Sequence, residues 1–361
     1  MRDAKTVKKI DFTLLGAVIV LALYGLLVLY GLSSKGETDF FTMQLIWFVI
    51  GIVFLAAVSV FSYTQIKHYI IPIYGGTIAL LLFVIVLGKT AQGASRWLQI
   101  GFLRIQPSEF AKLVIIIALA VYLSERKGIL KRNDLVKSGI IVLVPALLVF
   151  RQPDLGTAIV LTVIWLGAIL VSGVKPLHMG IIFLIGILLI GGVLQFNVLK
   201  DYQKNRLLVF INPDLDIKNT GYNLLQSKIA IGSGGFFGKG LFSGSQTNLS
   251  FLPAANTDFI FSVLSEKMGF LGAFFLIVLY FILLSRAVQI ALTSDNYYGS
   301  LLALSIASMW LFQIFVNIGM TIGIMPITGI PLPFISYGGS ALLTNMVAAG
   351  ILLNVHSRSI K

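Results

Sequence analysis

Residues 11–32 read Asp-Phe-Thr-Leu-Leu-Gly-Ala-Val-Ile-Val-Leu-Ala-Leu-Tyr-Gly-Leu-Leu-Val-Leu-Tyr-Gly-Leu. From Leu14 to Leu32 no side chain is charged. A bilayer core about 30 Å thick needs roughly 20 apolar helical residues, so this stretch is long enough to cross it. Arg2, Lys5, Lys8 and Lys9 precede it as in a secretory leader, but the apolar run is too long and lacks a small-residue cleavage site, so a retained helix is expected. Nine further stretches, near 42–63, 69–88, 108–124, 138–151, 157–172, 178–199, 257–285, 298–324 and 336–355, have the same character. The pair flanking Arg151-Gln152-Pro153-Asp154-Leu155-Gly156 is short, which favours a break at the membrane surface there. The expected fold is an all-α polytopic membrane protein of about ten transmembrane helices. A single domain covers 1–361, with one large extracytoplasmic loop at 200–256.

Composition agrees. Of 361 residues 57% are hydrophobic and 11% charged, against about 25% charged in ordinary soluble chains. The net charge of +13 would suggest nucleic acid in a soluble protein; here its placement argues for a membrane and against nucleic acid. With alternating ends, 14 basic residues fall on the side of the two termini and five in the short loops opposite. That bias places both termini in the cytoplasm, and the 200–256 loop outside. There are no cysteines, which removes disulfides and thiolate chemistry. His68, His178 and His356 all fall at expected cytoplasmic ends. An outer-face base is therefore a carboxylate, or a perturbed lysine or tyrosine.

Only 14 acids exist, and four of them defy the apolar pattern. Glu109 and Lys112 lie one turn apart on one helical face, where they can pair. Each costs about 2.5–3.5 kcal/mol at a helix centre, so they should face a partner or a water-filled cavity, although a plain structural staple is the simplest alternative. Asp258 stands where the long loop enters the eighth span, followed by Phe-Ile-Phe. It could cap the helix, but burial there raises a carboxylate's pKa and suits a general base. Glu266 and Lys267, adjacent on the same span, read as bundle-interior or cytoplasmic-half structure. Asp154 reads as a helix cap, and Trp97 with Arg96 as an interfacial anchor.

In the loop, 226–240 reads QSKIAIGSGGFFGKG. It fails the Walker pattern, because Ser233 and Gly240 stand where that pattern is not met. Lys228 and Lys239 among glycine amides could instead cradle a phosphate-bearing headgroup, or the segment could be a re-entrant turn. Residues 323–340 hold three prolines among several glycines and end in Ser336-Tyr337-Gly338-Gly339-Ser340; such backbone at membrane depth must line a cavity or be buried in protein.

Taken together, GASRWL (93–98), QPSEFAKL (106–113), RQPDLGTA (151–158), QSKIAIGSGGFFGKG (226–240), FLP with TDFIF (251–261) and GIPLPFISYGGS (329–340) resemble the SEDS family, for shape, elongation, division and sporulation. The resemblance covers about nine-tenths of the chain and favours the elongation branch over the division branch. It implies a peptidoglycan glycosyltransferase that polymerises lipid II on the outer face of the cytoplasmic membrane, for cell elongation and rod shape, beside a class B penicillin-binding protein. It further implies that Asp258 is catalytic and that Arg96, Glu109 and Lys112 matter. Ala254 and Asn256 depart from the family's Glu and His, so no role passes to those two positions.

On this basis Asp258 deprotonates the C4 hydroxyl of the acceptor sugar, which attacks the anomeric carbon of the lipid-linked donor with inversion and expels undecaprenyl diphosphate. Such a leaving group calls for positive charge, for which Arg96, Lys228 and Lys239 are candidates. The substrate-binding set expected is Arg96, Glu109, Lys112, Lys228, Lys239 and Ser336. A divalent cation, Mg or Mn, is a further candidate, although no ligand cluster for it is visible in the sequence. Two rivals remain open: a lipid II flippase built on the same broken helices, and a non-catalytic scaffold for the penicillin-binding protein.

Overall fold

The computed structural model of the chain describes residues 10–33, 40–87, 89–91, 94–100, 103–126, 129–195, 201–212, 216, 220–249 and 251–359. Arg2, Lys5, Lys8, Lys9, Lys35, Lys127 and Lys361, used in the charge reading above, lie outside these residues. Apolar runs produce helices α1 (Phe12–Ser33), α2 (Phe40–Val60) and α3 (Ile66–Leu87). After a small sheet come α4 (Pro107–Ser124), α5 (Arg132–Arg151), α6 (Leu155–Val171) and α7 (Pro176–Gln195). The 200–256 region is not an irregular loop: its described part carries α8 (Asp201–Ile211), α9 (Thr220–Ser233) and α10 (Ser245–Asn248). The chain closes with α11 (Ile260–Thr293), α12 (Tyr297–Ile322) and α13 (Gly339–Ser359). Eight of the described helices are long and apolar enough to cross a bilayer, and α6 and α7 contribute two shorter apolar stretches. The outer surface is hydrocarbon, with Ile71 82%, Val86 78% and Phe281 71% exposed, as expected of a protein whose solvent is lipid.

Two details differ from expectation. The α5 helix begins at Arg132 rather than near 138 and is 20 residues long, because Asp134 accepts from the Lys131 amide at 3.1 Å and starts the helix among charged residues. The predominantly helical chain also contains a three-stranded antiparallel meander, β1 (Lys89–Ala91), β2 (Ala94–Ile100) and β3 (Leu103–Ile105). Trp97 pairs with Lys89, and Leu98 with Ile105.

Helix α12 lies at the centre, touching α4, α6, α9, α11 and α13, with Trp310 fully buried. Gly51 and Gly350 let α2 and α13 approach closely: a Cβ on Gly350 would lie 2.8 Å from the Leu55 carbonyl. Polar groups collect at the two ends of the bundle. At one, Asn354 holds the Val58 carbonyl at 2.7 Å and Tyr63 stacks on Tyr298. At the other, the sheet, the starts of α4, α6, α11 and α13, and the 323–338 segment converge.

Candidate active site

Asp258 sits in the turn that precedes α11, half-buried, between Thr257 and the buried Phe259. The turn is tight. The amides of Thr257 and Phe259 both donate to the Ala254 carbonyl at 3.2 Å, and Ala254 adopts φ +50°, the left-handed region that costs a non-glycine residue about 1 kcal/mol or more. Its outer wall is the proline-rich segment. The Tyr337 amide donates to the Asn256 carbonyl at 2.8 Å, and the Ser336 hydroxyl donates to the Thr257 carbonyl at 2.7 Å. Gln44 of α2 clamps the same segment, its Nε2 donating to the Ser336 carbonyl and its Oε1 accepting from the Gly338 amide.

The carboxylate itself faces a guanidinium. At Gly329, φ +73°, a Cβ would lie 3.4 Å from both Asp258 Oδ2 and Arg206 Nη1, so the two groups both border the space left by the bare glycine. Burial pushes the Asp258 carboxyl above the ordinary carboxylate range. Arg206, and more weakly Thr257 and Arg96, pull the other way.

A second cluster adjoins this one, because Gly156 at the start of α6 packs 2.9 Å from the Thr328 carbonyl and Ile330, counted from its missing Cβ. Asp154 there accepts from the Thr157 amide at 3.2 Å, the Thr157 hydroxyl at 3.0 Å, Gln106 Nε2 at 2.9 Å and Ser108 at 3.4 Å. The cap reading therefore holds, but the same carboxylate also faces Arg96 at 3.8 Å. Arg96 extends from β2 to donate to the carbonyls of Gln152 and Pro153, so the meander places a second guanidinium at this end of the bundle. Gln106 completes the frame through its amide, which donates to Ser340 at the start of α13 at 2.9 Å.

Glu109 and Lys112 are 3% and 1% exposed and pair at 2.7 Å on α4. Lys228 and Lys239 do not form the phosphate cradle considered above. Lys239 donates to Ser233 and Ser245 and ion-pairs with Glu266 at 3.1 Å. Lys228 is exposed, and its side chain lies over Gly323, the C-cap of α12, where a cation meets the negative end of the helix dipole. Glu266, expected in the bundle interior or the cytoplasmic half, is fully buried and lies against the 239–247 segment: it accepts from the amides of Gln246 and Thr247 at 2.8 and 3.0 Å. Ser336 is 4% exposed and spans two backbone groups, accepting from the Leu332 amide at 2.8 Å. Its role is to brace the Asp258 turn. Among the described residues no three acidic or histidine side chains gather to hold a metal. Asp154 has its oxygens taken by donors, so the donor set does not fit a divalent cation.

The FtsW/RodA/SpoVE family of cell cycle proteins matches residues 11–361. The chain belongs to that family. This FtsW/RodA/SpoVE protein is 35% identical to the peptidoglycan glycosyltransferase RodA of Treponema pallidum, over 98% of its own length and 99% of the relative's. It is 34% identical to the peptidoglycan glycosyltransferase MrdB of Escherichia coli, over 96% and 94%. Among solved structures it superposes on a chain from a peptidoglycan synthase complex described as coordinating polymerization and crosslinking, with TM-score 0.85, 29% identity and coverage of 98% and 99%. The rod shape determining protein RodA of Thermus thermophilus follows at TM-score 0.74, 28% identity and the same coverage.

Three residues of this family member were not singled out from the sequence: Arg206, Gln44 and Asn317. Arg206 was one of several basic residues in a long loop, and only the helix α8 turns it toward Asp258. Gln44 and Asn317 leave a fainter sign: Gln44 is a lone amide in an apolar helix, and Asn317 is one of two amides, with Gln313, in another.

Proposed function

We propose that this peptidoglycan glycosyltransferase uses Asp258 as general base for polymerising lipid II into β-1,4 glycan strands on the outer face of the cytoplasmic membrane, with both termini in the cytoplasm. The supporting observation is that Asp258 and Arg206 both border Gly329, with Arg96 and Asp154 near enough to act on the same carboxylate. A carboxyl held above its usual range is a stronger base toward a hydroxyl proton than an ordinary carboxylate. Asp258 takes the C4 hydroxyl proton of the acceptor, and the freed oxygen attacks the donor's anomeric carbon from the face opposite the diphosphate, inverting it. The departing diphosphate carries its charge away without needing an acid. Arg206 and Arg96 are placed to neutralise it, and guanidinium forks suit phosphate oxygens better than lysines do. Lys228 and Lys239 no longer belong to that role.

The polar end of the bundle that holds these groups contains α8, α9 and α10, which roof the entry to α11. Lipid II would reach it laterally, its tail in the bilayer. A class B penicillin-binding protein is the partner that would crosslink the strands. The test is polymerisation of lipid II by purified protein in liposomes, with and without that partner. Asp258→Ala should yield no glycan strands in either case, and normal strands from that variant would overturn the assignment of Asp258.

A further inference from the structure

Helix α12 carries no charged residue, and from Met309 to Ile322 its polar side chains are few. One of them, Asn317, is completely buried. Its Nδ2 donates twice, to the backbone carbonyl of Asp258 at 3.1 Å and to that of Ile330 at 2.8 Å. Its Oδ1 has no partner among the described residues. Burying a primary amide in an apolar helix is unfavourable unless its groups are bonded, and an acceptor left unbonded adds to that. The arrangement is thus built around the NH₂ group. The two carbonyls it joins belong to the two segments that make the site: the turn bearing Asp258, and the loop whose Gly329 lies under Asp258 Oδ2 and Arg206 Nη1.

We propose that Asn317 is the positioning residue of this glycosyltransferase, fixing the Asp258 turn against the Gly329 loop. The inference rests on the reading of Asp258 as base, and it adds that a rigid central helix, through a side chain that touches no substrate, sets where that base stands. Among the described residues the hydrogen bonds from Ser336 and Tyr337 to the backbone of the turn come from a segment that is itself a loop, whereas Asn317 is seated on a helix at the bundle's centre. Without it the turn and the loop can separate, and a displacement of about 1 Å at a reacting group costs on the order of 10²-fold in rate.

The test compares Asn317→Leu, Asn317→Asp and Asp258→Ala for lipid II polymerisation in liposomes across pH, normalised to folded protein. Asn317→Leu should lower kcat about 10²-fold while KM for lipid II stays within about twofold. Its acid limb of kcat should also move to lower pH, because the freed Asp258 regains water. The charged groups facing Asp258 are Arg206 from α8, Arg96 from β2 and Asp154 ahead of α6; α12 and the 323–338 segment bring none. A residue that only fills space would change the amount of folded protein and leave that limb in place. Asn317→Asp keeps the shape and donates from its hydroxyl while protonated. Once ionised it repels both carbonyls, so its activity should collapse as pH rises where the parent protein remains active. If Asn317→Leu does not fold, this profile decides. Parent-like kcat and acid limb in folded Asn317→Leu, or a parent-like profile in Asn317→Asp, with Asp258→Ala inactive, overturns the inference and leaves the base assignment standing. Activity in Asp258→Ala overturns that assignment instead.

Discussion

Replacing Lys112 by methionine removes one half of an ion pair that water barely reaches. The two side chains are 2% and 4% exposed and meet at 2.7 Å, and no other partner of the Lys112 ammonium is closer than this carboxylate. Coulomb attraction in such a place is large in gross terms, yet desolvation of two charges offsets most of it, so the pair as a whole is worth little against apolar residues of equal size. The single substitution is different. Lys112→Met leaves Glu109 buried without its cation, a loss of about 3–5 kcal/mol. Removing both charges, as Glu109→Gln with Lys112→Met, should return the protein to within about 1 kcal/mol of the parent, because the glutamine is neutral and the methionine fills the space of the lysine stem. Thermal or denaturant unfolding in detergent, read as a double-mutant cycle, gives the coupling directly. A double variant as unstable as Lys112→Met would refute the account of a closed pair balanced by desolvation. Polymerisation measured on the stable double variant then separates the remaining possibilities: normal strands mean a structural staple, and their loss from a well-folded protein means that the charges themselves serve the reaction.

Two further substitutions follow from the same geometry. Asp258→Asn should stabilise the protein while abolishing polymerisation. Burial raises the folded-state pKa of Asp258, so the parent loses stability as pH rises from the ordinary aspartate value through the raised one. Asparagine has no such loss, so the gap in unfolding temperature should widen with pH across that window and level off above it; a gap independent of pH would contradict the burial of this carboxyl. Within the 226–240 stretch, two glycines should respond oppositely to alanine. Gly238, at φ +82° with a Cβ position 2.3 Å from the Lys267 carbonyl, should lose well over 1 kcal/mol. Gly232, in helix α9 with nothing within 4 Å, should gain up to about 1 kcal/mol, and equal unfolding shifts for the two would refute the close-packing argument.

The membrane-spanning pattern is legible because apolar runs of 20 residues have few other meanings, and Asp258 stands out as the proposed base because carboxylates are so scarce. The failures have a common physical origin. The 89–105 segment is short and of mixed polarity, so nothing in it announces three strands; the pairing of Trp97 with Lys89 exists only once the meander closes. Arg206 shared its loop with other cations, and its value depends on a glycine 123 positions away that no local pattern connects to it. The glycine-rich stretch misled most, since glycine beside lysine suits a phosphate as well as it suits close packing. Here a second glycine decides. Gly269, two residues past the Glu266-Lys267 pair, takes φ +65° and interrupts α11. That frees backbone groups in a region where water is scarce, and each must find a partner. The 234–240 segment supplies them. The Lys239 and Gly240 amides donate to the carbonyls of Glu266 and Lys267 at 3.0 Å, and the Phe270 and Leu271 amides donate to Gly235 and Phe236 at 2.9 and 3.2 Å. Glycines are required because side chains would collide with the strand of helix they patch: a Cβ on Gly234 would lie 2.0 Å from the Ser265 carbonyl. Lys239 and Lys267 then bind groups of the same junction, Lys239 on Glu266 and Lys267 on the carbonyls of Gly31 and Leu241. Lys239 and the glycines of that stretch thus patch the break in α11, and the piece of α11 ahead of the break, 260–268, is the one that the Asp258 turn leads into.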